Sequence, residues 1–141
     1  PLAADTPDEL SLYVSDGGSW EHRGNASRFR RYTLRIDGFV SINAPLSGGE
    51  VVTKPLKFAG SKLTMNFATS AAGSVRVEIQ DPAGKPVEGF SLADCPDHFG
   101  DTVERVVNWN NRKDVSRLAG KPVRLRFVLK DVDLYSFQFV E

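Results

Sequence analysis

Two tryptophans in this sequence sit among side chains that can grip a polyhydroxylated ligand. Trp20 lies in the run Gly17-Gly18-Ser19-Trp20-Glu21-His22-Arg23, with Asn25, Arg28 and Arg31 close behind; Trp109 is followed by Asn110, Asn111 and Arg112. A flat aromatic face packs against sugar C–H groups, while planar amides and guanidinium groups hydrogen-bond the hydroxyls. The candidate carbohydrate-binding set is therefore Trp20, His22, Arg23, Asn25, Arg28, Arg31, Trp109, Asn111 and Arg112, with His98 and Phe99 as a further pair. Each has a structural alternative. A Trp in a Gly-rich loop is either an exposed platform or a plug that closes the end of a core. Trp109 continues the alternation of Val103, Arg105 and Val107, which favours the edge of a core.

The local charge bears on which ligand such a set would take. Arg23, Arg28, Arg30, Arg31 and Arg35 crowd one stretch beside the single acid Glu21, in a chain whose formal net charge is zero. Guanidinium is suited to bidentate contact with carboxylate or sulfate, so acidic or sulfated polysaccharide is the ligand class to expect. The alternative is that Arg31 and Arg35 form the solvent face of a strand and pair with acids on its neighbour.

Catalytic chemistry finds less to work with. Glycoside hydrolysis needs two carboxylates about 5–10 Å apart across a cleft. Asp94, Asp97, Asp101 and Glu104 cluster in sequence, but acids in a turn-rich loop mostly cap or are solvated. His22 and His98 could join a Ser-His-Asp set only without the GxSxG turn that would expose the serine. The chain is thus not expected to be an enzyme. The Asp94–Asp101 loop, or Asp131 with Asp133, could give oxygen ligands to a structural calcium ion, although no EF-hand spacing is present. Two histidines and one cysteine make no zinc pattern. No other cofactor is expected.

The bulk composition sets the frame for these residues. The chain has 141 residues, 40% hydrophobic and 26% charged, enough for one domain with a real core. Zero net charge argues against a nucleic-acid partner. Apolar runs are short, so no membrane-spanning segment is expected. Pro1 opens with neither a charged n-region nor an apolar h-region, so no signal peptide is expected, and the absence of Met suggests a processed or excised piece. Cys95 alone can form no internal disulfide and leaves the compartment open.

The elements that must position the candidates read as strand after strand. Residues 1–9 are polar and proline-punctuated, a linker or disordered lead-in, and residues 10–141 are expected to form a single β-sandwich domain. Leu10, Leu12 and Val14 alternate with polar residues; 16–27 is a long loop; from Arg28, the row Tyr32, Leu34, Ile36 opposes Phe29, Arg31, Thr33, Arg35. Asp37-Gly38 is either a hairpin turn or a bulge in one continuous strand, with Val40 and Ile42 extending the apolar row. Further strands are expected at 51–54, around Leu63, Met65 and Phe67, around Val75, Val77 and Ile79, at 87–92, at 103–109, from Val123 to Lys130, and from Leu134 to Phe139. One short helix is expected at 114–120, N-capped by Asp114, anchored by Leu118 and ended by Gly120 in the left-handed region. About nine or ten short strands with turn chemistry between them indicate an all-β, antiparallel, jelly-roll-like sandwich.

Several segments, taken together, carry a resemblance: LYVSDG, RRYTLRIDGFVSINA, GGEVVTKPL, GSVRVEIQDPAGKPVEGFSLADC, GDTVERVVNWNN and AGKPVRLRFVLKDVDLYSFQF. From roughly residue 9 to residue 139 the chain resembles the C-terminal accessory domain of bacterial glycosidase-like proteins built on a five-bladed β-propeller, similar to glycoside hydrolase families 32 and 43. The resemblance implies a non-catalytic β-sandwich, since the catalytic carboxylates of such proteins sit in the propeller. It also implies that Leu10 to Ile36 corresponds to the end of the propeller or the connection leaving it. The expected partners are a polysaccharide or oligosaccharide and the parent catalytic domain, and the expected location is extracellular or periplasmic in a bacterium. A structural sandwich that packs on the propeller without glycan affinity is the alternative. No binding residue is carried over from the family.

Overall fold

The computed structural model describes residues 9–16 and 28–141. It divides into two compact units, Pro1–Phe39 and Val40–Glu141. In the first, β1 (Glu9–Asp16) and β2 (Arg28–Arg35) form an antiparallel hairpin with Leu10 opposite Leu34, Leu12 opposite Tyr32 and Val14 opposite Arg30. Alternation puts these residues on one face, and Ser11, Tyr13 and Ser15 with Thr33, Arg31 and Phe29 on the other. Because β1 and β2 form their own two-stranded sheet, the sandwich expected from residue 10 onward is a property of the second unit.

The Asp37-Gly38 junction is neither of the two turns expected of it. β2 pairs with β1 and the next strand pairs elsewhere, so Asp37-Gly38 lies on the connection from one sheet to the next. Asp37 takes the left-handed conformation, φ 57°, and the Gly38 N–H closes the turn on the Arg35 carbonyl at 2.9 Å. Glycine is required at 38 for space: a Cβ there would lie 2.7 Å from that same carbonyl oxygen.

The second unit is a five-stranded antiparallel sheet. Its strands are β3 (Ile42–Ala44), β4 (Gly49–Val52), β5 (Lys62–Gln80), β6 (Asp101–Val106) and β7 (Arg124–Val140). The order is β3-β7-β5-β6, with β4 also on β7. β5 and β7, of 19 and 17 residues, each replace two of the shorter strands expected, the strand expected at 87–92 is lost and β3 is added, so seven strands stand where nine or ten were counted. The breaks in alternation that suggested separate strands are a bulge. Thr69 is opposite Val132 and Ser74 opposite Lys130, so Ser70–Gly73 face Asp131 alone. Asp131 absorbs the kink with φ 43°, and Gly73 fits where a Cβ would lie 2.3 Å from the Asp131 carbonyl oxygen.

Bulges bend strands and increase their twist. Here the sheet curls until rows on either side of the bulge meet. Phe127, before it, packs ring to ring with Phe137, beyond it, at 5.2 Å. Leu63, Met65, Phe67, Val75, Val77, Ile79, Leu125 and Leu129 are buried in one continuous core. Each such side chain stabilises the fold by ~1.5–3 kcal/mol relative to exposure. The all-β, sandwich-like architecture is therefore the one expected.

Two elements differ from expectation. Residues 87–92 form no strand: Gly89, at φ 78°, breaks the extended path, and the Phe90 N–H turns back to the Val87 carbonyl at 3.0 Å. The short helix is a single 3₁₀ turn, Ser116–Leu118. Its N-cap is Val115, which makes no side-chain cap, and not the expected Asp114. Asp114, one residue earlier, accepts the Ser116 N–H on Oδ1 at 2.7 Å, while Leu118 is buried and Gly120 lies at φ 75°, as expected.

Candidate functional site

Trp20, His22, Arg23 and Asn25 lie outside the described residues. Arg28 and Arg31 lie on β2, where the register puts Arg31 across from Tyr13 and Arg28 across from Asp16. Arg31 donates to the Glu9 carboxylate and, at 3.1 Å, to Ser11 Oγ, both on β1. The pairing of Arg31 with an acid on the neighbouring strand is thus the alternative weighed for it above.

Trp109, offered as a stacking platform, is a correction. Its ring is 1% exposed, packed edge-on against Phe90 at 5.1 Å between centroids, and its indole N–H donates to the Val77 carbonyl at 2.8 Å. The alternation through Val107 carries the side chain inward, so it holds the end of the core and presents no face to a ligand. Asn111 and Arg112 are exposed in the tight turn that follows. That turn closes by reciprocal Trp109–Arg112 backbone hydrogen bonds of 2.8 Å, with Asn110 at φ 52°. Together with Gly89, Trp109 and Asn110 these two residues line an open depression of about 280 Å³.

Around this depression the charges are arranged in an uneven way. The Arg112 guanidinium lies 5.6 Å from the centroid of the buried Phe90 ring and that of Arg117 4.7 Å. Arg117 donates to the Glu88 carbonyl. Asp94 accepts from the Ser91 hydroxyl at 2.7 Å and from the Asn110 amide at 3.0 Å. The Ser91 hydrogen bonds first, then the Asn110 amide and the charge of Arg112, hold its carboxyl below the usual range. The Ser116 hydrogen bonds do the same for Asp114, helped by Arg112. No carboxylate lies within ion-pair distance of Arg112 or Arg117 among the described residues.

The His98 and Phe99 pair separates. Phe99 is 65% exposed and shares a second open depression with Asp97, Lys130, Ser74 and residues 71–73 of the bulge. His98 is buried, its backbone bridged to Val75, and its Nε2 has no hydrogen-bond partner. Burial, then the charge of Arg105, push its pKa below the ordinary value, with Asp97 opposing. Asp97 lies 3.5 Å from Arg76, at the longer end for an ion pair. Cys95 is buried and accepts the Val77 N–H at 3.3 Å; desolvation pushes its thiol up to about 11, which leaves it unreactive. Among the described residues no three His, Cys, Asp or Glu side chains gather as a metal cage.

Gly89 and Arg117 were not in the candidate set. A glycine inside an expected strand signals close approach of other atoms to the backbone, and Gly89 carries that signal. Arg117 reads only as a polar position of a short helix, because its meeting with Arg112 over one ring depends on the fold. Comparison with protein families, with curated proteins and with solved structures returns no match to this chain.

Proposed function

We propose that this chain is a non-catalytic accessory β-sandwich of a polysaccharide-degrading protein, held to the larger catalytic body by the β1–β2 hairpin. The observation that carries this reading is the exposure of the hairpin. On one face Leu12, Val14 and Tyr32 are 44%, 47% and 49% exposed, and on the other Tyr13 and Phe29 are 70% and 81% exposed. A lone two-stranded hairpin is marginal in water, and contiguous exposed apolar surface marks an interaction site. The partner is an acidic surface: β2 carries Arg28, Arg30, Arg31 and Arg35, and two copies of so basic a strand would repel one another. The resemblance of the chain to propeller-linked accessory domains supports the same assignment.

Hydrogen exchange on this chain alone and within the full-length protein tests the proposal. In the free chain the amides of β1 and β2 exchange orders of magnitude faster than those of β5 and β7; in the full-length protein they become protected. Protection in neither setting, or a free chain that dimerises through the hairpin, overturns it. Glycan binding by the sandwich itself is a second reading, favoured by Asn111 and Arg112 lining one depression.

A further inference from the structure

Gly89, Arg112 and Arg117 make an arrangement that core packing leaves unexplained. Arg112 in the turn after Trp109 and Arg117, five residues on in the 3₁₀ turn, both hold their guanidinium groups over the single ring of Phe90. A Cβ at Gly89 would lie 2.6 Å from Arg112 Nη1 and 3.7 Å from Arg117 Nη2, so both cations converge over the bare α-carbon. Like charges held this close repel one another; Asp94 and Asp114 feel the charge of Arg112 but lie beyond ion-pair distance, so the pair still attracts a further anion. Arg112 donates no side-chain hydrogen bond to any described residue, and the neighbouring acids are committed, Asp94 to Ser91 and Asn110, Asp114 to Ser116. The depression that Arg112 lines is open, with Asn111 on its rim and Asn110, whose amide donates to Asp94, beside it.

We infer that this is an oxyanion site, taking the sulfate ester or carboxylate of an acidic saccharide. Arg112 offers the fork of donors at the open depression, Arg117 beside it the second charge, and the missing side chain at Gly89 the room in which the Arg112 guanidinium seats. Guanidinium suits this task because its donors match the spacing of two oxygens on one anion, which an ammonium group cannot do. The saccharide carrier rests on the accessory-module reading above; the anion site rests on the sandwich unit alone.

Two arms separate those claims. Titration of the chain with sodium sulfate, followed by amide chemical shifts, tests the anion site: shifts centred on Gly89, Asn111 and Arg112 support it, and their absence overturns it. Calorimetry with chondroitin sulfate, polygalacturonate and neutral dextran tests the carrier. Binding to a charged polymer and not to dextran is expected, weakened about tenfold or more by Arg112→Ala and by Arg117→Ala. Arg112→Lys keeps a cation over Phe90, so it folds, and it does not restore affinity. Because β2 is also basic, the same titration is run with Arg28, Arg30 and Arg31 all changed to Ser. Binding that disappears in that variant and survives Arg112→Ala, or equal binding to dextran, overturns the saccharide assignment.

Discussion

The hairpin and the curled sheet are built from the same local grammar and end in opposite states. β1 and the Tyr32–Leu34 end of β2 show the same period-two placing of apolar residues as β7, with Leu12, Val14 and Tyr32 on one face, although Arg30 shares that face. Yet these three apolar residues are about half exposed, while Leu125, Phe127 and Leu129 of β7 are 0%, 1% and 1% exposed. Alternation therefore establishes a strand and a face, and leaves open what covers the face. In the larger unit the cover comes from the sheet itself, bent at the 70–73 bulge.

The comparison breaks most visibly under truncation. Phe127→Ala removes a ring packed against Phe137 in the core and is expected to cost about 3–5 kcal/mol in urea unfolding of the free chain. Tyr32→Ala, also an aromatic truncation on a strand, is expected to cost about 0.5 kcal/mol or less. On the docking proposed for the hairpin, the Tyr32 change weakens its protection in the complex, while the Phe127 change acts in both settings. Equal costs in the free chain would mean that the hairpin is part of the same cooperative core.

A smaller effect tests the bend. Gly73→Ala places a Cβ against two backbone carbonyls, those of Asp131 and Lys130, which cannot rotate away as a side chain could. A loss of about 1–3 kcal/mol is expected, with the main chain shifting at Asp131. A neutral outcome would show that the curl tolerates a looser bulge.

This bend also explains how much of the fold could be read in advance. Ser70 to Gly73 interrupts two apolar alternations, and the interruption is visible in the residues. That it is a bulge within one strand depends on Asp131 opposite, some sixty positions away. Val87 to Leu92 misled for a related reason: its apolar spacing suits a strand, while Gly89 is there to admit Arg112. Trp109 was legible as core edge from Val107, whereas the Arg112–Arg117 pair was not legible at all, because no local pattern places two cations over Phe90. His98 showed only as a neighbour of Phe99, and its burial follows from the bridge to Val75.

His98 supplies a pH-dependent contrast between the units. Its folded pKa is depressed, chiefly by burial, so the unfolded chain binds the proton more readily. The stability from this group is complete above the ordinary value of 6.5 and is lost as the pH falls below it toward the lower folded value. Urea midpoints of the sandwich are expected to drop on acidification through this window, and His98→Gln to lose that part of the dependence. A midpoint that falls equally in both proteins would assign the acid sensitivity to other groups.

The smallest effects are expected at the ion pairs, and they sharpen the contrast by where they act. Arg126 is held between Glu50, at 2.6 Å, and Glu78, at 3.6 Å, and the Glu50 hydrogen bond is the first cause of its raised pKa. Glu50 is 54% exposed and Glu78 only 5%, so Glu50→Gln leaves Arg126 a buried anion to face. The expected loss is about 0.2–1 kcal/mol, reduced at about 0.5 M salt by screening. In the hairpin, Glu9→Gln removes the acid that pairs with Arg31. Since β1–β2 adds little to global unfolding of the free chain, no measurable change in the urea midpoint is expected there. The same substitution makes the hairpin more basic, and the docking proposed for it, on an acidic surface, should then become more sensitive to salt. A Glu9→Gln change that destabilises the free chain as much as Glu50→Gln would place the hairpin within the sandwich's cooperative unit and remove the reason to seek a partner for it.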